Sequence, residues 1–357
     1  MNPQQQVCPN PRCWVYGRRG EGHVVIHSQR EQRYRCKRCG RTFSATKDTP
    51  FYRLHHPHAL VVIVVTLLAW GCPVQAIVAA FGLDERTVAD WQRRAGVQCQ
   101  RVHQHLVQAG AVRLGQVQAD ELRVRIVGGV VWVAMALTVR SRLWLGGVVS
   151  ATRNRTLIGT LLTRVTQCGT VATVLLCTDG LVSYPHQAVR RFRQAVRTGK
   201  RGRPCLVLPD GVQIAQVIKR YARRRVAAVE RRIVRGSTAA VDAMLVATQG
   251  KATAVINTAY IERLNATFRA RLAGLVRRGR ALVRQVATLE GGMWLVGTVY
   301  NFVCSHRSLD GQTPAQAAGL TDHRWTMAEL LTYRVPLAAA KRRGRPPHWL
   351  REVAHAA

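Results

Sequence analysis

The run Val174-Leu-Leu-Cys-Thr-Asp179 is apolar until it ends in an acid, and Gly180 follows. Residues 122–178 contain no other Asp or Glu. A carboxylate on a buried strand is costly unless it has a partner or a metal. An open sheet binds its ligands at such strand ends. Upstream, Gln118-Ala-Asp-Glu-Leu-Arg-Val-Arg-Ile126 alternates, which puts Asp120 on one face with Leu122, Val124 and Ile126. Glu121 falls on the other face with Arg123 and Arg125, which can pair with it. Downstream, Asn257-Thr-Ala-Tyr-Ile-Glu-Arg-Leu-Asn-Ala-Thr-Phe-Arg269 predicts a helix with Glu262, Asn265 and Arg269 on one polar face. A carboxylate, an amide and a cation there suit a metal-bound phosphodiester.

Around these acids, residues 118–127, 130–139 and 143–150 read as strands. Residues 154–167 read as a helix with apolar positions at 157, 158, 161, 162 and 165, and 171–179 as a buried strand. Residues 205–209 suggest another strand, and helices are expected to dominate from Asp210 onward. Three strands, a helix, a strand and a distal helical acid is the order of an α/β, ribonuclease H-like core. Three carboxylates suit two Mg2+ (or Mn2+) ions about 3.5–4 Å apart, which need few protein ligands and prefer oxygen. The bland alternative is three surface or salt-bridged acids in an arginine-rich chain.

Charge points to the partner. Lys and Arg number 54 against 18 acids in 357 residues, a formal net charge of +36. That favours nucleic acid through phosphate neutralisation and counterion release. Anionic membrane is the competitor, but Ala59-Leu-Val-Val-Ile-Val-Val-Thr-Leu-Leu-Ala69 falls short of the ~20 residues that span a bilayer, so it reads as a buried helix. The first residues, Met-Asn-Pro-Gln-Gln-Gln, lack the shape of a signal peptide. Ten cysteines then imply thiols in a reducing, cytoplasmic setting.

Four of those cysteines form two close pairs, Cys8-Pro-Asn-Pro-Arg-Cys13 and Cys36-Lys-Arg-Cys39, with Gly40 after the second. Two short loops brought face to face offer a structural Zn2+ its four thiolates. The alternative is unrelated thiols on a mobile arm. The other six, Cys72, Cys99, Cys168, Cys177, Cys205 and Cys304, read as small core residues. Between Val74 and Arg94 the pattern resembles a helix-turn-helix, with Gly82 in the turn and Asp84 as N-cap. Residues 77, 78 and 81 are expected to pack on Val88 and Trp91, leaving Arg86, Thr87, Gln92, Arg93 and Arg94 free for a DNA groove. An ordinary helical hairpin is the competing reading. The expected organisation is a zinc ribbon over 1–50, a helix-turn-helix over 58–110, a catalytic domain over 115–335 and a basic tail over 336–357.

Five stretches carry a family resemblance: Arg35-Cys-Lys-Arg-Cys-Gly-Arg-Thr-Phe43, Asp120-Glu121, Thr178-Asp-Gly180, Asn257 to Asn265, and Tyr300-Asn-Phe-Val-Cys-Ser-His-Arg-Ser-Leu309. Over about residues 8 to 320 the chain resembles the DDE transposases of bacterial insertion sequences, in the group with an N-terminal zinc ribbon and helix-turn-helix. The wide first cysteine loop departs from that group's commoner two-residue spacing. The resemblance implies a ribonuclease H-like fold, Mg2+, a triad of Asp120, Asp179 and Glu262, and strand transfer at the element's own ends. It further implies double-stranded DNA as partner (ends and target), a homo-oligomer when ends are paired, and a nucleoid-associated bacterial protein. Another ribonuclease H-like nuclease and a non-enzymatic regulator derived from a transposase are the alternatives. Arg201-Gly-Arg-Pro204 and Arg343-Gly-Arg-Pro346 resemble the core of minor-groove AT-hooks. The first copy reads as a loop leading into a strand; Arg343 and Arg345 of the second are candidate DNA contacts.

Overall fold

The computed structural model describes residues 1–197, 199, 202–223, 225–250, 254–276 and 282–337. The chain divides into two compact units, Met1–Leu54 with the described residues from Arg334 onward, and His55–Tyr333. In the first unit β1 (Val24–Ser28), β2 (Arg33–Cys36) and β3 (Thr42–Ser44) form an antiparallel sheet in sequence order. Val24, Tyr34 and Phe43 bury a small core on it, with the two rings 5.9 Å apart.

The second unit opens with three helices, α1 (His58–Ala69), α2 (Val74–Phe81) and α3 (Glu85–Leu106). Gly82 ends α2 in the left-handed conformation (φ 62°), and Asp84 caps α3 by accepting from the Arg86 N–H at 2.8 Å. Ile77, Val88 and Trp91 are buried as expected, but Phe81 is 37% exposed. No helix among the described residues is long and apolar enough to cross a membrane.

A central six-stranded mixed sheet follows. Its strands are β4 (Gly115–Ile126), β5 (Gly129–Thr138), β6 (Trp144–Ser150), β7 (Val174–Asp179), β10 (Val212–Ala222) and β11 (Arg225–Arg235). A separate two-stranded ladder joins β8 (Gln194–Val196) to β9 (Cys205–Val207). The central order is β11-β10-β7-β4-β5-β6, with β7 parallel to both its neighbours and every other pair antiparallel. Both parallel steps require crossovers. The first runs through α4 (Arg155–Cys168), which buries all five of its expected apolar positions, and the second through α5 (Ser183–Arg191). The other face carries α6 (Thr238–Gln249) and α7 (Ala259–Arg271), while α8 (Val286–Phe302) packs on β6 and along α3. Two short helices, α9 (Pro314–Ala317) and α10 (Met327–Thr332), close the unit; each begins with a capping box.

Two expectations are corrected. Residues after Asp210 form two 11-residue strands before helices take over. In β11 the sequence Arg-Val-Ala-Ala-Val-Glu-Arg-Arg-Ile-Val-Arg does not alternate because neither face is buried, and its charges suit an open edge. Cys205 is exposed, whereas Cys99, Cys168, Cys177 and Cys304 are buried and Cys72 is half-buried.

The α3–α8 crossing is close because glycines face each other. A Cβ on Gly96 would lie 2.6 Å from the Gly291 carbonyl oxygen and 2.8 Å from its Cα, whereas a Cβ on Gly291 would meet nothing within 4 Å. Gly96→Ala should therefore destabilise the protein by about 1–3 kcal/mol despite its better helix propensity. Gly291→Ala should be neutral or stabilising by up to about 1 kcal/mol. Denaturant melts of the two variants check this asymmetry, and equal effects would contradict it.

Candidate metal centre

The parallel register pairs Gln118 of β4 with Cys177 of β7, so two residues on, Asp120 and Asp179 lie side by side at the strand ends. Asp179 is in turn opposite Val217 of β10. Carboxylate oxygens of Asp120, Glu121 and Asp179 all lie within 4.8 Å of one another. They border a cavity of about 510 Å³ lined also by Arg153, Gly180, Lys219, Tyr221, Thr258 and Glu262. The structure thus brings the three expected acids to one cavity, but its tight cluster contains Glu121 where Glu262 was expected.

Each acid has a distinct environment. Asp120 accepts from Asn265 Nδ2 at 2.7 Å. Burial first, then the neighbouring charge of Glu121, with Asp179 and Glu262 adding to it, pushes its pKa up to about 6. Glu121 is buried on the opposite face of β4, where Tyr184 Oη donates to it at 2.9 Å and Arg153 Nε at 2.6 Å. Its expected pairing with Arg123 or Arg125 is replaced by Arg153, because that sheet face is covered by α4 and α5 rather than open. Burial and the Asp179 charge raise the Glu121 pKa, while Arg153 and Tyr184 oppose the rise. Arg153 also reaches Asp179 at 3.5 Å, so one guanidinium bridges two acids. Asp179 further accepts from the Leu181 N–H at 3.0 Å. Glu262 is half-exposed, accepting from Lys219 Nζ at 2.5 Å and Thr258 Oγ1 at 2.8 Å.

Gln118, which sequence reading passed over, fixes α7 against the strands. Its Oε1 accepts from the Tyr260 and Ile261 N–H groups, both at 3.0 Å, and its Nε2 donates to the Asn257 carbonyl at 2.7 Å. Position 118 shares the face of Asp120 in the alternation, so a buried amide there was the available signal. Arg153, Tyr184 and Lys219 arrive from other elements and left no such signal.

The donor set fits a divalent cation: hard carboxylate oxygens converge on one point, and Asn265 Oδ1 is a buried oxygen without a partner beside Asp120. Asn265 itself is only 2% exposed, so the expectation that it touches DNA is corrected; it holds Asp120. Arg269 is half-buried on the same helix.

In the first unit Cys8, Cys13, Cys36 and Cys39 come together, with 3.7 Å between the sulfurs of Cys8 and Cys39 and 3.9 Å between those of Cys13 and Cys36. A zinc tetrathiolate with Zn–S near 2.3 Å has sulfurs about 3.8 Å apart, so the cluster fits zinc. Gly40 takes the left-handed conformation (φ 70°) that closes the second loop. Burial raises the thiols of Cys8 and Cys13. It pushes on Cys39 too, but the Arg41 N–H and hydrogen bonds from Asn10, Cys8 and Cys13 bring that thiol down to about 7.

The expected groove contacts on α3 are partly engaged. Arg86 is exposed and Thr87 and Gln92 are half-buried. Arg93 and Arg94 are not free: Asp90, three and four residues earlier, holds them at 2.5 and 2.6 Å. Arg343 and Arg345 lie outside the described residues. No protein-family model matches the chain, and no curated protein is similar to it at a significant level.

Two outcomes are expected. A carboxyl whose folded pKa is raised stabilises the fold at low pH, and that contribution is lost as pH rises from about 4 through about 6. Without added metal, Asp120→Asn should therefore raise stability above pH 6 by about 1–3 kcal/mol, the gap closing toward pH 4. Thermal melts across pH check the sign; a variant equally or less stable at pH 8 would contradict it. Purified protein should carry about one zinc per chain, lost with the order of the first unit in Cys36→Ser/Cys39→Ser. Elemental analysis and proteolysis of the first 54 residues read this out.

Proposed function

We propose that the chain is a DDE transposase that binds the ends of its own element and cleaves and joins DNA strands. The observation that carries this reading is the convergence of Asp120, Asp179 and Glu262 on one cavity in a protein of net charge +36. Such a cavity would repel a nucleic-acid phosphate unless cations neutralised its acids. The strand order supports a ribonuclease H-like core: taken in chain order, the strands β6, β5, β4, β7 and β10 lie as 3-2-1-4-5, with the last two parallel to the first.

Asp120 and Asp179 would hold the divalent ions, with Glu262 joining them by exchanging its contact with Lys219. Bound Mg2+ supplies an activated water or 3′-hydroxyl and stabilises the departing oxygen. Asn265 orients Asp120, while Arg153 and Tyr184 occupy Glu121, leaving that residue a positioning role. The displaced Lys219 would keep its charge at the cavity lip, where it suits a phosphate.

Substrate would reach the cavity along the β10–β11 ribbon. Beyond Val217 this hairpin leaves the β7 ladder and presents Lys219, Arg220, Tyr221, Arg223 and Arg225, with Tyr221 65% exposed. A two-stranded ribbon bearing cations and an aromatic ring matches the width of a DNA major groove. The α2–α3 pair and the cysteine cluster suit the recognition of element ends.

Asp179→Asn should lower Mg2+-dependent cleavage of DNA carrying element ends by at least about 100-fold, several kcal/mol of charge stabilisation being lost. End binding measured by mobility shift should persist. Cleavage at the wild-type rate would sink the assignment. End binding without metal-dependent cleavage in the wild-type protein would instead favour a regulator.

A further inference from the structure

We infer that a second, basic cavity on the other side of α7 is a built site for a phosphate of the DNA backbone. The cavity is about 350 Å³, and Arg142, Arg263, Arg307, His306 and Ser308 line it. No acid is among the described residues that line it. Tyr260 and Tyr300 form its walls.

Helix α7 explains the division. Tyr260, Arg263, Leu264 and Thr267, at spacings of three, four and seven, face this cavity, whereas Glu262 faces the acidic one and Asn265 holds Asp120. A helix with its side chains is about 10–12 Å across. That spans a few nucleotides, each rising about 3.4 Å along a strand. A strand lying in the acidic cavity could therefore place a neighbouring phosphate here.

Three features mark the cavity as more than solvated charge. Arg142 sits in the left-handed region (φ 59°), which costs a non-glycine residue about 1 kcal/mol or more. Its guanidinium lies 4.0 Å from the Tyr260 ring centroid and donates to the Val139 carbonyl, which fixes its direction. His306 stacks edge-on against Tyr300 at 4.6 Å, and its Nε2 is buried without a hydrogen-bond partner. Burial, then the charges of Arg271, Arg142 and Arg263, hold the His306 pKa below its usual value. A phosphate would reverse that field and give the ring nitrogen a partner. The segment from Tyr300 to Leu309, singled out by the sequence, thus gains a role separate from the acids.

The choice of DNA as occupant rests on the function proposed above; the anion site itself does not. The test uses the full-length protein and Arg263→Gln/Arg307→Gln, two exposed positions outside the acidic cavity. Inorganic phosphate and a short DNA duplex are titrated while the His306 ring is followed by NMR. Both should shift the ring saturably and raise its pKa, and the double variant should lose most of both responses. In that variant, the log–log salt slope of DNA binding should shrink by about 2, since each lost phosphate contact removes about 0.9. KM for cleavage should rise about tenfold with kcat kept. A silent His306 with both ligands, or an unchanged slope, overturns the inference. A response to phosphate but not to DNA overturns the DNA occupant. Wild-type protein that shifts His306 but does not cut DNA refutes the catalytic reading alone.

Discussion

The parallel pairing of β4 with β7 sets two carboxylates side by side, and much of the second unit is arranged around that repulsion. Asp120 and Asp179 occupy equivalent positions at neighbouring strand ends, with Glu121 packed close beneath. Like charges this near raise each other's cost of ionisation, and burial adds to it, which is why Asp120 titrates near 6. The protein relieves the strain unequally. Arg153 and Tyr184 are spent on Glu121, with Arg153 reaching on to Asp179, while Asp120 receives only the amide of Asn265. The acid least served by protein donors is therefore one that faces the cavity. That is the pattern expected where an external cation supplies the missing charge.

Positioning depends on a second constraint, the attachment of α7. Its first N–H groups have no partners within the helix, and Gln118 takes up two of them from the neighbouring strand. Because Gln118 and Asp120 are two residues apart on β4, the cap and the carboxylate move together. Glu262 and Asn265 follow from the helical repeat. On the far side of the unit, His103 lies against Trp144 and Trp294 at 4.8 and 5.2 Å, and Gly297 makes room for the Trp144 ring. Burial lowers the His103 pKa to about 3, so the ring stays neutral and joins α3, β6 and α8 as an apolar wedge.

The parts of this arrangement legible in the sequence were those with strong periodicity or strong contrast. Strands β4 to β7 and helix α4 announced themselves by alternation and by the five apolar positions that α4 buries. Asp179 stood out because nothing acidic precedes it for a long stretch. Strand β11 was illegible because an edge strand open on both faces has no burial to impose alternation, and its alanines and arginines imitate a solvated helix. Arg153 could not be assigned to Glu121, since local spacing favoured Arg123 and Arg125, and only the folding of the loop after β6 settles the choice. The engagement of Arg93 and Arg94 by Asp90 was readable in principle, as spacings of three and four on one helix predict it.

The excess of cations shapes both cavities. With 18 acids against 54 Lys and Arg, most cations cannot find a carboxylate, so an arginine without one is the ordinary case and carries little information. An acid that faces a cavity in such a chain is the informative event, because many guanidinium groups compete to neutralise it. Lys219 already sits on Glu262, but at a half-exposed position where the contact is weak and exchangeable. Across α7, the same excess leaves His306 surrounded by positive charge and without a partner. One helix thus separates a site short of cations from a site short of anions. A phosphodiester accompanied by divalent metal supplies both, and neither species alone does.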